Sequence, residues 1–221
     1  MRISMARTAP FVLSALLVVP SMAAAQTAER SRTQGLKETD RFVKAGGSTV
    51  DAVSNAKLQT QKTLDAYNAL VTLPTTNMKG DYKKLMKSMD GMNARVTEAQ
   101  QKIDEMKQTA DVYFAGRAEN IKSIQDAQLQ ERAKQRLTES QEQFGAVVQS
   151  LSDAGKVLEL FRKELADHIT YLGSDLTPSA MTSLKPDAEK FNARGQQLLS
   201  ETDKALGAAN PYFQGLRSSQ S

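Results

Sequence analysis

Between Pro74 and Pro178 the chain runs for about a hundred residues without a proline. Within that interval its apolar residues alternate steps of three and four for about four heptads or more at a time. Tyr82, Leu85, Met89, Met92, Val96, Ala99, Ile103, Met106, Ala110 and Tyr113 form one such seam. Leu137, Ser140, Phe144, Val147, Leu151, Ala154, Leu158, Phe161, Leu165, His168 and Leu172 form a second. This is the a/d spacing of helices that supercoil on partner helices. Two helices of about 45 residues would each be near 65–70 Å long at 1.5 Å per residue, too long for a compact sphere of this chain. The pattern predicts an all-α fold: an elongated antiparallel bundle of about four helices. A long coiled-coil hairpin is its spine, with the outer helices packed against it. An aromatic content of 5% and the absence of Trp speak against a sandwich or barrel.

The helix ends carry recognisable signals. Arg117 breaks the first seam, and Ser123 and Asp126 are N-cap types, so a turn is expected at 123–127. One bent helix is the alternative, because no Gly or Pro lies there. Gly173-Ser174-Asp175 stops the second long helix. Thr177 caps the next, with Pro178 in its first position. Met181, Leu184, Ala188, Phe191, Gly195, Leu198 and Ala205 continue a seam in this last helix. Pro186 is expected to kink or split it, and Asn210-Pro211 to end it. The tail 218–221 is expected to be disordered. The N-terminal helix reads weakest. Val50, Val53, Leu64, Tyr67 and Val71 fit a stripe, but Lys57 and Thr60 interrupt it. Gly46-Gly47 is expected to separate it from a shorter piece with Leu36, Phe42 and Val43.

Residues 1–25 read as an export signal. Arg2 and Arg7 precede the apolar run Phe11 to Val19, and Met22-Ala23-Ala24-Ala25 offers a small-residue cleavage site. The run is about half of what a membrane-spanning helix needs. Cleavage after Ala25 would leave a periplasmic chain with one helical domain over 26–217 and no stable membrane span. Without Arg2 and Arg7 the balance is 27 basic to 25 acidic residues, about +2. With no single-sign patch, nucleic acid is not an expected partner.

Little in the sequence points to chemistry. There is no Cys and one His, so no thiol or zinc framework can form. Met86, Met89 and Met92 make a Met-x-x-Met-x-x-Met run of soft thioethers, a weak candidate for Cu(I). Met89 and Met92 also lie on the first seam, where methionine fills core gaps, and packing is the favoured reading. Lys79, Lys83 and Lys87 recur at i, i+4, i+8, with Lys84 beside them. They suit an anionic surface, but Asp81 and Asp90 sit among them and a solvated face is expected. Glu98 with Lys102, and Glu159 with Lys163, have the spacing of helix-surface ion pairs. No phosphate-binding glycine loop and no G-x-S-x-G elbow is present. Neither an enzyme nor a bound cofactor is expected. His168, on the second seam, is expected to be a buried structural histidine with a lowered pKa, opposed by Glu164 and Asp167.

Leu160-Phe161-Arg162, Tyr171-Leu172, Asp175-Leu176, Ala180 and Ser183-Leu184 resemble the most recognisable stretch of the domain-of-unknown-function 2959 family of bacterial proteins. The likeness extends more loosely from about residue 50 to about residue 206. Gly46-Gly47 and Gly173-Ser174 depart from the family pattern. The resemblance implies an exported helical protein of a Gram-negative type cell, with no assigned activity and no functional residues to carry over. The expectation is therefore an exported, non-enzymatic structural or interaction protein of the envelope, acting through helix surfaces. Its partner would be a protein or another envelope component, and it could be a homo-oligomer. The alternative is a periplasmic chaperone that cradles unfolded clients between helices.

Overall fold

The computed structural model describes residues 22–72 and 76–218, with side chains from 33 onward. Arg2, Arg7 and the run Phe11 to Val19 of the expected export signal lie outside the described residues, as do Pro74 and residues 219–221. Four helices, and no strand among the described residues, make up the chain: α1 (Met22–Val71), α2 (Met78–Lys122), α3 (Ala127–Ser174) and α4 (Pro178–Ser218).

Local chemistry sets the boundaries. The Asn77 side chain accepts from the Gly80 N–H at 3.1 Å at the start of α2. The Asp126 carboxylate accepts from the Leu129 N–H at 2.8 Å and starts α3. A real turn therefore separates α2 from α3, and Ser123 caps the end of α2 instead of opening α3. Thr177 Oγ1 accepts from the Ala180 N–H at 3.3 Å, which leaves Pro178 at the first helical position as the sequence predicts. These caps occupy donors that the first turn leaves orphaned.

The helices form an up-down-up-down square. Helix α1 lies between α2 and α4, α3 lies between the same two, and among the described residues neither diagonal pair makes close backbone contact. The spine differs from the expected one. The closest pair is α1 with α2, and α2 with α3 is the loosest. Helix α1 reads as interrupted because its inward face is built partly from threonines. Thr49, Thr60 and Thr63 are buried. Their hydroxyls lie 2.9 Å from the Ala45, Ala56 and Gln59 carbonyls, one turn back. A hydroxyl satisfied in this way packs as a small apolar group. Thr49 also reaches the Lys102 carbonyl at 2.8 Å and Thr63 the Ser88 carbonyl at 3.1 Å, so α1 and α2 approach closely.

Three expected breaks are absent, the one at Pro186 in the sense that α4 is not split there. Helix α1 passes through Gly46-Gly47, and α4 passes through Pro186, Asn210 and Pro211 to Ser218. One contact explains the first and the last. Phe213 lies so tightly on Gly46 that a Cβ there would land in its ring. Glycine at 46 is thus a seat for Phe213, and α4 must continue past Pro211 to fill it. Pro186 and Pro211 are exposed, as are Thr182 and Gly207 one turn back, so water can satisfy the freed carbonyls. Ser218, expected in the tail, is the last helical residue and bonds the Gln214 carbonyl at 2.8 Å.

The core divides in two. At the end holding the α2–α3 turn, the Phe42 ring meets Tyr113, Phe114, Phe144, Tyr212 and Phe213 at centroid distances of 4.9 to 6.2 Å. At the opposite end Phe161 stacks on Phe191 at 4.6 Å, and Tyr67 meets Phe191 at 4.6 Å. Between the aromatic clusters many of the buried residues are small: Ala52, Ala56, Ala99, Ala154 and Ala205.

Candidate functional site

Small residues between two sets of large rings leave space. A cavity of about 80 Å³ lies there, walled by all four helices. It shares Val96, Gln100, Ile103, Leu151, Gly155 and Leu158 with a groove of about 370 Å³ that runs along the α2–α3 seam. On the α1–α4 side an ion pair between Lys57 and Asp203 spans the two helices at the cavity level. Among the described residues the α2–α3 side has no such ion pair at this level. The bonds joining these helices lie nearer the ends: Tyr82 Oη to the Ile169 carbonyl at 3.1 Å, Arg162 Nε to Asn93 Oδ1 at 3.0 Å, and Gln130 Nε2 to the Ile121 carbonyl at 3.3 Å. Along residues 96–107 of α2 no side-chain hydrogen bond or ion pair reaches α3 among the described residues.

The charges at the groove are unequally committed. Lys156 pairs with Asp153 at 2.8 Å, and Glu159 with Arg162 at 2.8 Å. The hydrogen bonds from Lys156 and Gln149 hold the exposed Asp153 carboxyl below its ordinary pKa. Lys107 is half-buried in the groove wall and forms no ion pair among the described residues, with Asp104 and Asp111 one turn to either side of it on α2. A Cβ added at Gly155 would meet nothing within 4 Å.

A second polar spot lies inside the core at the end opposite the α2–α3 turn. Tyr67 Oη sits 2.7 Å from His168 Nδ1, and the two rings stack at 5.4 Å. His168 is 9% exposed. Burial pushes its pKa below the ordinary value, while Glu164, Asp187 and Asp167 pull the other way without overcoming it. Burial, aided by Glu164 and Asp187, also raises the Tyr67 pKa. At the other end burial lifts Tyr212 to about 12. Tyr67 Oη and His168 Nδ1 satisfy each other, as expected of a structural histidine, and among the described residues no further side-chain hydrogen bond to either is seen.

The remaining sequence candidates are dispersed. Met92 is fully buried, Met89 packs half-buried against the same core, and Met86 is 44% exposed. Packing parts the three thioethers between core and solvent. Among the described residues no group of three His, Cys, Asp or Glu could hold a metal. Lys79, Lys83, Lys84 and Lys87 all face solvent, with Lys84 held by Asp81 at 2.9 Å. The surface pairs form one residue closer than expected. Glu98 takes Arg95 and Glu159 takes Arg162, each at i, i+3, while Lys102 takes Glu105. Gly155 and Lys107 were not singled out by sequence. Gly155 stands beside the seam residue Ala154, and only the pairing of α2 with α3 turns that absent side chain into space.

The arrangement defines an antiparallel four-helix bundle whose one weakly tied seam opens on an apolar interior. The chain matches the family described as protein of unknown function (DUF2959) over residues 27–216, and belongs to it. No curated protein and no solved structure matches the chain.

Proposed function

We propose that this chain is an exported, non-enzymatic interaction protein of the bacterial envelope, acting in the periplasm through its helix surfaces. The observation that carries this reading is the α2–α3 seam, where Leu151 and the partly buried Val96, Ile103, Val148 and Leu158 line a groove rimmed by Gln100, Lys107, Ser152, Lys156 and Glu159, with no polar tie across it among the described residues. The buried threonines and histidine, by contrast, serve packing: Thr49, Thr60 and Thr63 bond carbonyls of α1, the first and last also carbonyls of α2, and His168 bonds Tyr67. Among the described residues, no hydrogen-bonded nucleophile, base and orienting group stand together. Arg2, Arg7, the short apolar run and Ala25 support export. Among the described residues no helix is long and apolar enough to cross a membrane. The chaperone alternative has less support, since the exposed Leu36, Leu58, Val112, Leu129 and Leu160 are spread over three helices.

A photo-crosslinking residue at Ser152, exposed beside the groove, tests the reading in cells. It should give a defined adduct in the periplasmic fraction, and the same residue at the exposed Asp65 of α1 should not. Absence of the Ser152 adduct, or retention of Arg2 and Arg7 in cytoplasmic protein, would contradict it.

A further inference from the structure

Resting on that reading, we propose that the α2–α3 groove and the cavity behind it bind one long-chain fatty acid, with its carboxylate at Lys107 and its hydrocarbon chain alongside Gly155. Four observations converge on this ligand. The shared walls are mostly apolar: Val96, Ile103, Leu151 and Leu158. The groove follows residues 96–107 of α2 and 148–159 of α3, about 16 Å at 1.5 Å per residue. At roughly 1.2 Å per bond of an extended chain, that length holds about 13 carbons, and the end of a 16-carbon chain would turn into the cavity behind. The inner cavity of about 80 Å³ cannot admit a partner helix, which is about 10 Å across with its side chains. A single flexible chain fits where a helix does not. The space at Gly155 is open, since a Cβ would touch nothing there.

The charge pattern selects the head group. Lys156 and Glu159 are already paired, and Gln100 donates to Asp104 at 3.1 Å. Lys107 is the groove-lining charge without a partner among the described residues. An anion placed there would meet an ammonium that forms no ion pair among the described residues, on a half-buried lysine beside Ile103 and Val148. The stem of the lysine would cover the first methylenes while its ammonium holds the carboxylate.

The protein without residues 1–25, stripped of lipid on a hydrophobic resin, should enhance the fluorescence of a dansyl-tagged fatty acid, and palmitate should displace it. Gly155→Leu should weaken palmitate binding at least about tenfold while leaving the melting temperature unchanged or higher. Lys107→Gln should weaken palmitate about tenfold and leave hexadecanol, which has no charge, unaffected. Failure of palmitate to displace the probe would overturn the proposal, as would undiminished binding by a folded Gly155→Leu variant. Binding of lysophosphatidylethanolamine where palmitate does not bind would also reject it, in favour of a membrane-derived lipid. If no amphiphile binds but the Ser152 adduct persists, this ligand is wrong and the envelope role stands.

Discussion

The Tyr67 hydroxyl lies 2.7 Å from His168 Nδ1, joining α1 to α3 across the diagonal of the bundle. With the hydroxyl donating and Nδ1 accepting, the imidazole is neutral. Protonation would turn Nδ1 into a donor inside a core packed by Phe191 and Leu165. Glu164 and Asp167 on α3 and Asp187 on α4 favour the charged form, and burial outweighs them. The folded pKa therefore lies below the unfolded value of about 6.5. The unfolded chain then binds more protons, so stability is lost as pH falls through about 6.5 and levels off below the folded pKa. Above about pH 6.5 this group contributes no slope. Urea unfolding over a pH series should show that loss. His168→Leu should remove it, but should cost about 1–3 kcal/mol at neutral pH because Tyr67 Oη loses its partner. Adding Tyr67→Phe should recover most of that cost. A single-variant pH profile unchanged from the parent would refute the assignment.

Adjacent glycines should respond oppositely. Gly46→Ala forces the buried Phe213 ring aside, an overpacking cost of about 1–3 kcal/mol, partly offset by up to about 1 kcal/mol of helix propensity. Gly47→Ala meets only the Arg217 guanidinium at an ordinary 3.5 Å and should gain about 0.5–1 kcal/mol. Chemical denaturation of the two variants separates the effects. Equal stabilisation by both would show that Phe213 does not occupy the seat.

Phe42 is the keystone of the turn-end core, with ring contacts to α2, α3 and α4. Phe42→Ala should cost about 3–5 kcal/mol. Leu129→Ala, at an exposed position of α3, should stay within about 0.5 kcal/mol. Thermal and urea unfolding of both variants check the contrast.

Periodicity revealed α2 and α3 almost residue by residue because their seams are apolar and regular. Leu137, Val147, Leu151, Phe161, Leu165 and Leu172 are all buried, and so is the polar member His168. Helix α1 was harder to read because Thr49, Thr60 and Thr63 become core only after bonding carbonyls, which composition does not record. Gly46 and Pro211 misled for a shared reason. Their local penalties are genuine, about 3 kcal/mol for an interior proline. Burying Tyr212 and Phe213, at about 1.5–3 kcal/mol each, outweighs them, but that gain depends on a helix more than 160 residues away in sequence. The groove was illegible for a similar reason. Both long seams look equally good, and only the three-dimensional pairing shows that α2 spends its close contacts on α1 and leaves α3 loosely joined.

That asymmetry is the centre of the account, and the natural lack of cysteine lets it be measured by distance between two spin labels. One label pair would bridge the loose seam, at Gln101→Cys and Ser152→Cys. The control pair would bridge the close one, at Asp51→Cys and Gln101→Cys. All three sites are exposed. Pulsed electron resonance should give a broad distance distribution across α2–α3 that narrows or shifts when palmitate is added. The α1–α2 distribution should be narrow and unmoved. Equally narrow distributions for both pairs, unchanged by palmitate, would contradict an opening seam.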